Sequence, residues 1–318
     1  MRAMAIDTTG GAEVLTLTDV PRPARIGAEL IVRVIAAGVN PIDAKTRGGR
    51  GVSAHIGRWP AVLGQDFSGI VEESPYEAHP LQPGAEVFGM TSVPRYGGSY
   101  AEYVAVSSLG VIRKPAALTH VEAAGVPLAA LTAWGLVVDL AKAHQGQRML
   151  VHAGAGGVGH FAVQFASYFG AHVVATGSPG NLRFLEQLGA AQVVDHTSTR
   201  FEEIATGMDV VVDLIGDVHD DTGSRSLRTL RRGGLILNVP TGSWPTFLDD
   251  AREAGMRAST FTVAPDGASL GIIARLLDAG DIAVHVDEVY ALEDAAAAHR
   301  ALEGGHTRGK IVLRVAEG

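Results

Sequence analysis

Apolar positions in the first third of the chain come in short runs that glycine and proline interrupt. Residues 3–6 and 15–18 read as short strands. Residues 29–36 are apolar on both sides of the pleat, which predicts a strand buried on both faces. Turn-plus-strand patterns follow at 59–71, 83–89 and 97–106. Residues 1 to about 115 therefore predict a strand-rich domain with a barrel-like sheet. Near Pro115 the pattern changes. Thr119-His120-Val121-Glu122 is a capping-box sequence ahead of an alanine-rich helix, which Pro127 interrupts and residues 128–143 continue. From there to residue 265, strand and helix patterns alternate, as a parallel sheet with crossover helices requires. The strands are expected at 192–195, 209–216, 235–239 and 257–263. The tail has strand patterns at 284–290 and 310–315 around a helix, and these are expected to rejoin the first domain. The expected division is 1–118, completed by 266–318, around an inserted 119–265.

Residues 148–178 organise the rest. An apolar strand ends at Val151, and Gly154-Ala155-Gly156-Gly157-Val158-Gly159 follows as a G-x-G-x-x-G. Val158, Phe161, Ala162, Phe165, Ala166 and Phe169 then fall at helical spacing, Gly170 closes the helix, and residues 172–176 form a second strand. In this context the first glycine permits the tight turn. The second lets the backbone approach a pyrophosphate, and the third lets helix and strand pack closely. Backbone N–H groups at the helix start meet the negative charge. A structural glycine turn and a methyl-donor nucleotide site are the alternatives to a dinucleotide. A sheet of this kind binds beyond the carboxyl ends of its strands, so Gly154, Gly156, Gly157, Val158, Gly159, Ser178, Gly216 and Val239 are expected around one crevice.

The end of the second strand bears on which dinucleotide. Residues 176–181 offer no carboxylate for a ribose 2′-hydroxyl, whereas Ser178, Asn181 and Arg183 suit a 2′-phosphate. NADPH is expected over NADH. Asn40 precedes Pro41, so it ends a strand and the proline opens a helical turn. Asn40 and Asp43 either cap that turn or, with Lys45, stand beside a cofactor ring. Thr132 either offers its hydroxyl to the cofactor or bonds its own helix backbone. The loops 47–59, 92–97 and 241–248 are expected to select the acceptor.

With 318 residues, 47% of them hydrophobic and 19% charged, the chain can build a large core in two domains. A formal charge of −8 gives no footprint for nucleic acid, and no apolar run reaches membrane-spanning length. A cytoplasmic protein without nucleic-acid or membrane partners is expected. The absence of cysteine removes disulfides, cysteine nucleophiles and thiolate zinc sites, and the 12 histidines form no ligand motif, so no metal site is expected.

Six segments in order resemble the medium-chain dehydrogenase/reductase superfamily, in its zinc-free quinone oxidoreductase and enoyl reductase branch. They are Gly38-Val39-Asn40-Pro41-Ile42-Asp43, Gly64-Gln65-Asp66-Phe67-Ser68-Gly69, Gly98-Ser99-Tyr100-Ala101-Glu102-Tyr103, Leu128-Ala129-Ala130-Leu131-Thr132-Ala133, residues 153–159, and Arg308-Gly309-Lys310-Ile311-Val312-Leu313. The resemblance implies an α/β fold in which a Rossmann doubly wound parallel sheet is inserted in a GroES-like β-barrel catalytic domain. It implies NADPH-dependent hydride transfer to a quinone or to the activated C=C of an α,β-unsaturated carbonyl. Zinc-dependent relatives place a histidine where this chain has Gln65. By the same resemblance Asn40 and Thr132 lie near the nicotinamide, Phe261 and Val263 line its far side, and Lys310 belongs to the cofactor-binding set. Lys45 stands where some relatives place a tyrosine; it would donate a proton or hold the enolate oxygen, or else be a solvated helix residue. Within the same fold the alternatives are a zeta-crystallin-like NADPH-binding protein that senses redox state or binds RNA, and a tailoring enoyl reductase of a secondary pathway. The resemblance and the edge position of strand 257–263 imply a homodimer.

Overall fold

The computed structural model describes residues 1–92 and 98–317. Of the expected acceptor loop 92–97, all but Ser92 lies outside the described residues. The chain divides into two units, Met1–Leu131 with Ala264–Gly318, and Thr132–Val263.

In the first unit β1 (Arg2–Ile6) pairs antiparallel with β2 (Thr16–Asp19) and with the short β4 (Ala61–Val62), all flanking β3 (Glu29–Val39) in sequence. β3 is the longest strand and the axis of a second sheet. Along it pair β5 (Asp66–Glu73), from Ile31 to Gly38, and β7 (Tyr103–Ser107), from Glu29 to Arg33. β6 (Glu86–Met90) and β8 (Val111–Arg113) extend the sheet beyond β5. The apolar run read on both faces of β3 is buried on both: Leu30, Ile31, Val32, Val34 and Ala36 have no exposed surface. Leu30, Val32 and Val34 join Phe67, Val87 and Tyr100 in one core cluster, each large side chain contributing about 1.5–3 kcal/mol of burial.

The second unit contains β9 (Arg148–Val151), β10 (His172–Gly177), β11 (Gln192–Asp195), β12 (Met208–Asp213), β13 (Leu230–Asn238) and β14 (Arg257–Thr260). They form one sheet in the order β11-β10-β9-β12-β13-β14, parallel throughout. The chain winds outward from β9 in one direction and from β12 in the other. The order reverses between β9 and β12, where a doubly wound sheet opens its binding crevice. Leu150, Val174, Val211 and Ile236 fill the core on one side. After this unit the tail supplies β15 (Val286–Ala291) and β16 (Lys310–Arg314), and β16 pairs with residues 36–39 of β3. The tail strands thus complete the sheet built on β3.

Three elements differ from the sequence pattern. The helix expected over 128–143 is α-helical only through Pro127–Trp134 and becomes a π-helix over Gly135–Leu140. The Phe261 ring lies so close to Gly135, the first residue of the π-helix, that a Cβ there would stand 2.1 Å from it. The edge strand expected over 257–263 stops at Thr260. Strand β12 stops at Asp213, where the N–H groups of Ile215 and Gly216 turn back onto its carboxylate. Among the described residues no helix is long and apolar enough to cross a membrane.

Candidate functional site

The glycine turn sits at the carboxyl end of β9, beside the ends of β10 and β12. The tight bend is not carried by the first glycine. The left-handed residue is Ala153, at φ +48, a region that costs an L side chain about 1–2 kcal/mol. Gly154 is required by close packing instead, since a Cβ there would meet Leu185 at 2.8 Å and Ala175 at 3.2 Å. At Gly159 a Cβ would stand 2.2 Å from the Ala153 carbonyl oxygen and 2.8 Å from Gly154 Cα, so helix Gly159–Tyr168 starts directly against the turn. Gly156 differs from both. Its missing Cβ faces nothing but that same carbonyl oxygen at 3.3 Å, and Gly156, Gly157 and Val158 are partly exposed. The turn therefore presents an uncovered backbone surface at a helix start, which fits a pyrophosphate.

The neighbouring strand ends complete this rim. Ser178 is partly exposed and accepts a hydrogen bond from Asn181 Nδ2 at 3.1 Å, and Arg183 is exposed. Asp195, opposite Gly177 in register, is the nearest carboxylate on a strand. Its oxygens accept from Thr197 N, Thr197 Oγ1 and Ser198 Oγ, which hold the carboxyl below its ordinary range and tie it to its own turn. Asp213, fully buried, accepts from the N–H groups of Ile215 and Gly216 and from Asn238 Nδ2. Gly216 has φ +79 and packs on Ser243. Val239, Phe261 and Val263 are partly exposed, and Thr132 is buried. His152, Thr176 and Asp213 also shape this rim, and no motif in the sequence points to any of the three. Their signal was positional: each is a polar residue at the end of an otherwise apolar strand.

The first unit contains a separate polar cluster. Asn40, at the end of β3, directs its carboxamide inward: Nδ2 donates to Asp66 Oδ2 at 2.9 Å, and Oδ1 accepts from Lys310 Nζ. Lys310 also donates to the Val39 carbonyl at 3.1 Å and lies 3.7 Å from Asp66. Asp66 Oδ1 accepts from Leu128 N at 2.8 Å. Asp43, one turn into helix Pro41–Arg47, accepts from Asn40 N at 3.0 Å and from the Tyr100 hydroxyl at 3.3 Å. Arg47 continues the network, with Nη1 3.4 Å from His299 Nδ1 and Nη2 donating to Glu303 at 2.6 Å. A guanidinium only donates, so His299 Nδ1 accepts and its Nε2–H donates to Tyr100 at 3.1 Å. Asn40, Asp43, Asp66, Tyr100, His299 and Lys310 are all buried. Lys45 is only partly buried, and its ammonium is pushed below the ordinary lysine value by that burial and by Arg50.

These burials set a pH dependence. Burial, then the Arg47 guanidinium, pushes His299 down from 6.5 to about 3, so the folded ring is neutral. The unfolded chain binds that proton first as the pH falls below 6.5. His299 therefore contributes its full stability above 6.5 and loses it below, at about 1.4 kcal/mol per pH unit. Asp43 acts in the other direction. Burial raises it from 3.8 to about 7, so the folded chain takes up its proton first and folding gains as the pH falls through that window. The histidine is best read by difference. Between pH 7 and pH 5, a His299→Gln variant should lose less stability than the wild type by about 2 kcal/mol in urea titrations. Equal losses would show that the ring is not held neutral.

The chain matches two family models, one described as an alcohol dehydrogenase GroES-like domain over residues 27–116 and the other as a zinc-binding dehydrogenase over residues 188–313. It is similar to the mitochondrial NAD(P)H oxidoreductase RTN4IP1 of Danio rerio, 32% identical, with 100% of this chain and 92% of that protein covered. It is also similar to the chloroplastic NADPH-dependent alkenal/one oxidoreductase of Arabidopsis thaliana, 31% identical over 98% of this chain and 79% of that one. Among solved structures, the quinone oxidoreductase from Coxiella burnetii superimposes with a TM-score of 0.93 at 36% identity, covering 99% of each chain. The zinc in one model's description has no counterpart among the described residues: no group of three or more His, Cys, Asp or Glu side chains is placed to hold a metal ion. Gln65 is buried beside Asp66.

Proposed function

The chain belongs to the medium-chain dehydrogenase/reductase superfamily, in its zinc-free quinone oxidoreductase branch, and we propose that it uses NADPH to reduce a quinone or the activated C=C of an α,β-unsaturated carbonyl. One observation carries the reading: a glycine turn with an open backbone face at Gly156, at the switch point of a parallel sheet. Gly154, Gly156, Gly157, Val158 and Gly159 would hold the pyrophosphate. Bound nicotinamide would supply the hydride. For the chain's own part, Lys45 Nζ would place a proton at the acceptor's oxygen as charge develops there, and its lowered pKa makes that donation easier. Asn40 and Thr132 would act beside the ring as fixed polar groups, with Asn40 oriented by Asp66 and Lys310.

The preference for NADPH is supported by the strand end of β10. Ser178, Asn181 and Arg183 can meet a 2′-phosphate, and Asp195 is engaged by its own turn. The protein is expected to oxidise NADPH when offered a panel of quinones and α,β-unsaturated ketones, read by absorbance of the reduced cofactor. NADPH should be favoured over NADH by about tenfold or more in kcat/KM, about 1.4 kcal/mol. Equal efficiency would remove the 2′-phosphate assignment. Tight NADPH binding without turnover of any acceptor would favour a non-catalytic binding protein.

The assembly and compartment belong to the same proposal. β14 has one neighbour in its sheet, and two such edges would pair in a homodimer. A scattering mass of a single chain would exclude this. The cytoplasm is retained as the expected compartment, and cell fractionation would decide it.

A further inference from the structure

Ala153 holds a left-handed conformation without being glycine, immediately before the first glycine of the turn. Such a residue persists only where its surroundings enforce it. The enforcement comes from Thr176, at the end of β10. Ala153 N donates to Thr176 Oγ1 at 3.3 Å, and Gly154 N donates to the Thr176 carbonyl at 3.0 Å. Gly156 N then closes the turn on the Ala153 carbonyl at 3.0 Å.

A hydroxyl that accepts from Ala153 must send its own proton elsewhere. His152 Nδ1 stands 3.1 Å from Thr176 Oγ1. The ring's other nitrogen, Nε2, is 2.8 Å from Ser226 Oγ, and Ser226 spends its single proton on the Thr222 carbonyl at 2.6 Å. Ser226 must therefore accept from Nε2–H, which leaves Nδ1 to accept from Thr176. Every donor is satisfied by one neutral tautomer, and the chain of bonds runs in one direction, from Ala153 N to the Thr222 carbonyl. His152, Thr176 and Ser226 are all fully buried. Burial pushes His152 down to about 4, with Asp213, Arg225, His196 and Glu202 the titratable groups around it. The ring's edge-on contact with Phe201, centroids 4.6 Å apart, fixes its plane.

We propose that His152 is a positioning residue for the dinucleotide: through the Thr176 hydroxyl it fixes Ala153 and Gly154 in the conformation that exposes the glycine turn. This rests on the reading of that turn as the cofactor site. His152→Phe keeps the ring volume and removes both bonds. The Thr176 hydroxyl is then free to rotate its proton toward Ala153 N–H, and the left-handed residue loses its support.

The test is steady-state kinetics of the whole chain with NADPH and a turned-over quinone, beside a fluorescence titration of NADPH. His152→Phe should raise the NADPH KM and Kd by about tenfold, with kcat at saturating NADPH and the quinone KM unchanged. Adding Ala153→Gly, which takes positive φ without penalty, should return both NADPH constants toward the wild type. A role confined to stability would lower Tm and the active fraction and leave the NADPH KM alone. If His152→Phe does not fold, Thr176→Val carries the same expectation, and Thr176→Ser should behave as the wild type. Unchanged NADPH constants in the folded variant, or no rescue by Ala153→Gly, would overturn the proposal. A wild type that binds no NADPH would overturn the cofactor reading, and this proposal with it.

Discussion

Alanine at Asp66 is expected to lower the unfolding free energy of the chain by about 3–5 kcal/mol, the cost of leaving a buried charge without its partner. Asp66 has no exposed surface and Lys310 is 3% exposed. Burial pushes the Lys310 ammonium below its ordinary value and pushes both nearby carboxyls, Asp43 and Asp66, above theirs. One ammonium faces two acids. Asp66 accepts from Leu128 N and Asn40 Nδ2 and stands closest to the cation in charge, so it is the better placed to carry the negative charge. Removing it strands Lys310 against Asn40 Oδ1 and the Val39 carbonyl, and takes away the Asp66 oxygens that accept from Leu128 N and Asn40 Nδ2. The wild type and Asp66→Ala would be compared by urea unfolding at neutral pH. Lys310→Met should also destabilise, and the double variant Asp66→Ala with Lys310→Met should be less damaged than the two losses added together, because neither charge is left alone. A loss below about 1 kcal/mol for Asp66→Ala, the range of a solvated surface pair, would show that the cluster is not desolvated.

The glycine turn gives the second large effect, and it separates folding from binding. Gly159→Ala places a methyl 2.2 Å from a backbone carbonyl and 2.8 Å from Gly154 Cα. Neither atom can retreat without opening the turn, so this variant should be destabilised by several degrees in Tm or fail to fold. Gly156→Ala meets only a carbonyl oxygen at 3.3 Å and has ordinary negative φ or extended backbone, since it is absent from the positive-φ glycines. Its fold should survive. Its methyl projects from the partly exposed face where a pyrophosphate would approach, so NADPH binding should weaken by roughly 100-fold, about 2.8 kcal/mol. Circular dichroism melting and an NADPH titration on the same preparations read both outcomes. A Gly156→Ala variant that binds NADPH as well as the wild type would move the cofactor off this turn.

Much of this was legible in the sequence because local rules and tertiary packing agree. The capping box at Thr119 and Glu122 forms as written, with Glu122 N donating to Thr119 Oγ1 and Glu122 accepting from Thr119 N. The apolar run of β3 is buried on both faces, and β14 ends the sheet as an edge. The glycine motif lies between strand and helix where its spacing required. What the sequence left open is side-chain commitment over long separations. Asn40 reads equally as a cap or as a cofactor contact until Lys310, 270 residues away, is seen on its carboxamide. Tyr100 and His299, 199 residues apart, carry no shared local pattern. The spacing puts the tight turn on the first glycine, whereas the structure carries its left-handed residue at Ala153 and compensates through Thr176. The helix expected over 128–143 turns into a π-helix from Gly135, and the ring packed on that glycine, Phe261, lies in no sequence window around it.

Calorimetric titration of NADPH into the intact protein tests the central claim most directly. Saturable uptake of one equivalent per chain, weaker for NADH and abolished or strongly weakened in Gly156→Ala, is the expected result. No measurable uptake of either nucleotide by the folded wild type, or uptake indifferent to Gly156→Ala, would contradict it.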